Sequence, residues 1–73
     1  MEGNLDLHGV KHEDVKQILD QRIWECMKQK KKRLWVITGN SPEMKRIVVE
    51  VVKDYGATAI QSMFNTAEII IDF

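Results

Sequence analysis

The sequence predicts an α/β domain of two layers, and three observations carry that prediction. Stretches of strand alternation are interleaved with stretches of helical period in the order β-α-β-α-β-β. One boundary, Ser41-Pro42-Glu43, combines a capping hydroxyl, a proline suited to the first helical position and an acid in the first turn. Strands joined through a helix run parallel with right-handed crossovers, so both helices are expected on one face of a single sheet.

Residues 5–8, Leu-Asp-Leu-His, alternate apolar and polar before Gly9 and read as a short strand with one buried face. From Glu13 to about Lys30 the period becomes helical. Val15, Ile18, Leu19, Ile23 and Cys26 share a stripe that Arg22 interrupts, and Glu13 and Asp14 at one end with Lys28 and Lys30 at the other suit the helix dipole. Arg33 to Thr38 is an almost unbroken apolar run ending at Gly39, as in a strand covered on both faces or nearly so. Because Leu34 to Ile37 are all apolar, alternation does not say which side meets the helices. A second helix over 42–55 places Met44, Ile47, Val48, Val51 and Tyr55 on one face, with Gly56 as its stop. Residues 57–63 and 67–73 are two further strands, with Phe64-Asn65-Thr66 as their turn. Trp35 and the methionines are expected in the core.

Seventy-three residues leave room for one hydrophobic core, so 1–73 reads as a single domain. Lys plus Arg and Asp plus Glu number eleven each. That balance argues against tight non-specific binding of nucleic acid, though a neutral total can hide a local basic patch. The single Cys26 cannot form an internal disulfide, and the polar start MEGNLDLHG carries no apolar signal segment. Apolar runs such as Ile69-Ile70-Ile71 are too short to cross a bilayer. A reducing, cytoplasmic setting with no membrane partner is the expectation.

The chemistry-bearing residues fall at strand ends. The ends at His8-Gly9 and Thr38-Gly39 emerge on one edge of a parallel sheet, and as neighbours they would form one crevice. Asp6 and His8, two apart, point to one face. Histidine can move a proton near neutral pH, and aspartate can orient it or hold a cation. Gly39-Asn40-Ser41-Pro42 opens a helix whose free N–H groups favour phosphate. An acid, an imidazole and an anion-binding helix end suit cleavage of a phosphodiester. The alternative is a structural pair that only holds the first loop.

Leu5-Asp6-Leu7-His8-Gly9 resembles the LDLHG signature of the small MutS-related (Smr) family, and Ile37-Thr38-Gly39 stands where that family has its TGxG-type loop after the second strand. The element order is similar too, and the resemblance covers essentially the whole chain. It implies a two-layer fold like the C-terminal domain of translation initiation factor three, with both helices on one face of a four-stranded mixed sheet. The implied strand order is 1-2-4-3, the last strand antiparallel to the rest. It further implies nicking or endonuclease activity on DNA or RNA, with Asp6 and His8 catalytic and the loop from Gly39 in contact with substrate. Two positions depart from the family pattern. Asn40 and Ser41 follow Gly39 where the family has one residue and then Gly, although Asn tolerates left-handed geometry and could preserve the turn. Lys11 stands where a Thr helix cap is frequent, which removes a cap and places a cation beside the crevice.

Two functions follow. The first is an Smr-type endonuclease, with Asp6 and His8 in catalysis and Gly9, Lys11, Thr38, Gly39, Asn40 and Ser41 holding substrate. The second is a binding module without cleavage, for RNA or a protein partner. No cofactor is certain; Asp6 is where a weakly held Mg²⁺ would sit. His12, Glu13 and Asp14 match no metal-ligand spacing and read as a solvated helix start. The basic run Lys28 to Arg33 reads as a solvated helix end on the edge opposite the crevice. Trp24 falls opposite the apolar stripe among lysines, where it is either a contact for a base or a protein partner, or core on a rotated helix.

Overall fold

Two helical crossovers and one hairpin build the sheet in the computed structural model, which describes residues 3–73. The elements are β1 (Gly3–Asp6), α1 (His12–Lys28), β2 (Arg33–Ile37), α2 (Pro42–Asp54), β3 (Thr58–Gln61) and β4 (Glu68–Asp72). The sheet order is β1-β2-β4-β3. β1 and β2 are parallel, while β4 runs antiparallel to both β2 and β3. The expected order and the expected direction of the last strand are therefore observed. Among the described residues no helix is long and apolar enough to cross a membrane.

Burial alternates along the strands and settles the side of β2 that its composition left open. Leu34 and Val36 are buried, as are Leu5, Leu7, Ile69 and Ile71 in and beside the neighbouring strands. They pack with Val15, Leu19, Ile23 and Cys26 of α1 and Met44, Val48, Val51 and Val52 of α2, so both helices cover one face. Among the described residues nothing forms a second layer on the other face. That face carries a row of Asn4, Trp35, Ile70 and Ile60 in register. β2 is thus covered by helices on one side only, and Trp35 is half-buried outside the helix–sheet core.

Other expectations about the core shift for similar reasons. Ile18 lies at the margin of the α1 stripe and is exposed, and Val52 joins the buried face of α2. Met44 is core, whereas Met27 and Met63 face solvent; Met1 lies outside the described residues. Arg22 interrupts the stripe with purpose. Its guanidinium donates to the Asn4 carbonyl at 2.7 Å, which occupies an acceptor on the edge strand.

Both helices end in the same backbone motif. After α2, the Gly56 N–H donates to Lys53 O at 3.0 Å and the Ala57 N–H to Val52 O at 3.2 Å, with Gly56 left-handed at φ 72°. After α1, the Lys30 N–H donates to Met27 O at 3.1 Å and the Lys31 N–H to Cys26 O at 2.9 Å. Here the left-handed residue is Lys30, at φ 58°. Lys30 is therefore the residue beyond the cap, and the last turn closes at Lys28. A side chain in this region costs roughly 1–2 kcal/mol that glycine avoids. Lys30→Gly is expected to stabilise the domain by about 1 kcal/mol and raise its thermal midpoint by roughly 4–8 °C, while Gly56→Ala should lower it. Thermal unfolding followed by circular dichroism checks both, and a lowered midpoint for Lys30→Gly would contradict the assignment.

Candidate functional site

The parallel pairing of β1 and β2 brings their C-terminal ends together. Asp6 is in register with Ile37, and the Leu7 N–H donates to Ile37 O at 2.8 Å just past the end of β1. His8 therefore lies in the turn after the strand, while the alternation continues, with Leu7 buried and Asp6 and His8 exposed. The imidazole meets the second loop at Gly39, where a Cβ would stand 3.4 Å from His8 Cδ2. That spacing is ordinary contact, so the demand for glycine there comes from its φ of 68°.

Asp6 acts on His8 through the backbone. Its Oδ1 accepts from the His8 N–H at 2.9 Å, an Asx-type turn that precedes Gly9 at φ 82°. No hydrogen bond to the imidazole is present among the described residues, so the carboxylate shapes the turn that carries the ring rather than orienting the ring directly.

The second loop is braced from within. Thr38 is buried, and its hydroxyl donates toward the carbonyls of Gly39 (2.8 Å) and Ala67 (3.2 Å). The Thr38 and Gly39 N–H groups both donate to Ala67 O, at 2.8 and 3.2 Å. Asn40 does not adopt the left-handed backbone that its side chain tolerates; its Oδ1 instead accepts from the Thr66 hydroxyl at 2.9 Å. Ser41 Oγ caps α2 by accepting from the Met44 N–H at 3.2 Å, and Pro42 has no N–H to offer. The start of α2 is therefore a poorer anion site than its sequence suggests.

The start of α1 is the more open helix end. Lys11 occupies the N-cap with no side-chain hydrogen bond to the helix. The Asp14 N–H turns back to Lys11 O at 2.9 Å, and the N–H groups of His12 and Glu13 have no acceptor among the described residues. Val10, Lys11, His12 and Glu13 line a shallow depression there. A cation and free N–H groups thus stand on the chain segment that follows the His8-Gly9 turn.

Asp6 supplies one carboxylate, one oxygen of which already accepts the His8 N–H. Among the described residues no three His, Cys, Asp or Glu side chains converge to hold a metal ion. The described residues therefore form no all-protein cage; Mg²⁺ is ordinarily held by one or two carboxylates with water and substrate phosphates, and Asp6 would be the carboxylate here.

The model of the Smr domain matches residues 5–66. The chain belongs to the Smr family. No curated protein and no solved structure matches it. The match runs from the first residue of the Leu5–Gly9 motif through the second loop to Thr66, the residue that hydrogen-bonds Asn40. Smr domains generally bind nucleic acid.

Of the remaining marked residues of this Smr domain, the basic run lies away from that edge. The Lys28–Arg33 run is at the N-terminal end of β2, where Gly3 of β1 pairs with Leu34, on the sheet edge opposite His8. Trp24 is 58 % exposed, with Lys28 Nζ 5.1 Å from its ring. It lines an open groove of about 620 Å³ that runs back along α1 past Asp20 and Lys16 to Glu13 in its first turn, which resolves the helix rotation in favour of an exposed ring. Cys26 is 1 % exposed, and burial pushes its thiol above the ordinary range. Thr66 and Ala67, which hold the second loop, carry no motif. Their part depends on a pairing between strands distant in sequence.

Two measurements follow from these placements. In a Trp35→Phe background, Trp24 emission should be water-like and readily quenched by iodide; protected, blue-shifted emission would contradict its exposure. Cys26 should resist a thiol reagent in the folded domain and react fully on denaturation, because the reactive thiolate is both hidden and disfavoured. Rapid labelling of the folded form would contradict that.

Proposed function

We propose that the loop edge of His8, Gly9, Lys11 and Gly39 binds the backbone of a nucleic acid and that His8 is the acid–base group of a phosphodiester cleavage. One observation carries this reading: the exposed His8 ring stands against Gly39, on the same loop that leads into the uncapped start of α1. Membership of the Smr family supports nucleic acid as the class of substrate.

In this reading a phosphate accepts from the His12 and Glu13 N–H groups and pairs with Lys11, where the helix dipole adds to the attraction. His8 takes the proton of the attacking water or hydroxyl, and its protonated form returns one to the leaving oxygen. Asp6 is a positioning residue, holding the turn that sets the ring. Thr38, Asn40 and Ser41 brace the second loop, and the free amide nitrogen of Asn40 is the group left to meet substrate.

A binding module that does not cleave is the second reading. It is favoured by the Asp6 carboxylate, whose hydrogen bond goes to backbone and leaves the imidazole without an acidic partner.

The two are separated by a nicking and cleavage assay on a panel of DNA and RNA, with and without Mg²⁺. His8→Ala should slow cleavage by about 10²–10⁴-fold with binding largely kept. Asp6→Asn, which can still accept the His8 N–H, should keep most of the rate, whereas Asp6→Ala should lose it. Lys11→Ala should weaken binding and reduce the salt slope by about one. A wild-type chain that binds in a salt-dependent way and cleaves nothing establishes the second reading. A chain that neither binds nor cleaves overturns both.

A further inference from the structure

We propose that the β3–β4 turn is a base-stacking arm, in which Phe64 takes an unpaired base of the nucleic acid bound along the loop edge. This rests on the nucleic-acid reading above and narrows its ligand to single strands, loops or bulges.

Phe64 is 99 % exposed and Met63 is 91 % exposed. In a domain with so small a core, two adjacent large apolar side chains gain nothing for folding from that position. The turn that carries them is not slack. Ser62 Oγ accepts from the Phe64 N–H at 3.3 Å and the Asn65 N–H at 3.2 Å, and Asn65 Oδ1 accepts from the Ala67 N–H at 3.0 Å. Gln61 Nε2 donates to Glu68 O at 2.9 Å across its base. The ring is therefore offered on a preformed turn, so little ordering is required when it engages a ligand.

The turn is also fastened to the candidate site. Ala67 O receives the N–H groups of Thr38 and Gly39, and Thr66 donates to Asn40. Gly39 in turn meets the His8 ring. One chain of contacts thus joins the turn that carries the ring, the glycine loop and the imidazole. Residues 62–67 carry no charged side chain, so nothing on the arm repels a phosphate backbone, and Ser62, Asn65 and Thr66 can bond to base edges.

A ring on such an arm can stack only on a base that has left the helical stack, because the faces of paired bases in a duplex are covered by their neighbours. Aromatic stacking is the general means by which proteins hold single-stranded nucleic acid without fixed sequence preference.

The test uses a fluorescent single-stranded oligonucleotide, its matched duplex, and a single strand carrying 2-aminopurine. The full chain should bind the single strand more tightly than the duplex and quench 2-aminopurine. Phe64→Ala should keep its thermal midpoint, since the side chain is exposed, yet weaken single-strand binding by about 5- to 150-fold and lose the quenching. Phe64→Trp should retain both. Unchanged binding by Phe64→Ala while Lys11→Ala weakens overturns the arm and leaves the loop-edge reading standing. Equal affinity of the full chain for single strand and duplex also overturns the arm. Absence of wild-type binding to either probe overturns the arm together with the reading beneath it.

Discussion

Everything at the loop edge depends on the parallel register of β1 against β2. Asp6 lies opposite Ile37, and the Leu7 N–H reaches Ile37 O beyond the last paired residue of β1. Slipping that pairing by one residue would turn Leu5 and Leu7 out of the core and His8 inward. The register is held by the apolar side chains it buries: Leu5 and Leu7 beside Leu34 and Val36, under Val15, Leu19 and Val48. The same packing that stabilises the sheet therefore places the imidazole beside the glycine loop. A parallel pair needs a crossover, and α1 supplies both that connection and the open helix end that follows the His8-Gly9 turn.

The antiparallel strand β4 has a different part. Inserted between β2 and β3, it returns the chain to the end of β2, so that Ala67 receives two N–H groups of the second loop. The loop is thereby held by hydrogen bonds from a distant segment, with Thr66 and Asn40 completing the brace. This accounts for the tolerance of Asn40 and Ser41 after Gly39: the loop shape is set from outside, and Ser41 turns to capping α2. The consequence for binding is a division of labour. The second loop spends most of its donors on its own brace and keeps the Asn40 side-chain amide free, while the start of α1, with Lys11 and no side-chain cap, is the freer of the two helix ends.

Most of the fold was legible because period is a direct consequence of burial. The Val15–Cys26 and Met44–Val51 stripes mark buried helix faces, and Ser41-Pro42 marks the start of α2. The faces of β2 were not legible, since Leu34 to Ile37 are uniformly apolar and only the positions of the helices distinguish them. Nor was the left-handed Lys30, because lysine gives no signal for that conformation and the motif shows only in the bonds from Lys30 and Lys31. At the site, the pairing of the His8 turn with the Gly39 loop could be read from parallel strands and a known motif. The backbone role of Asp6 and the brace from Thr66 and Ala67 could not. Each depends on which of several acceptors a donor finds once the strands are paired.

We propose that nucleic acid lies along the His8–Gly39 edge, and not along the basic run or the open sheet face. This placement is tested most directly by titrating an isotopically labelled chain with a single-stranded oligonucleotide and following each backbone amide by NMR. The amides of residues 8–13 and 39–41 are expected to move first and furthest, with those of 62–67 beside them. Shifts confined to Lys28–Arg33, or to Trp35, Ile60 and Ile70 on the open face, would contradict it.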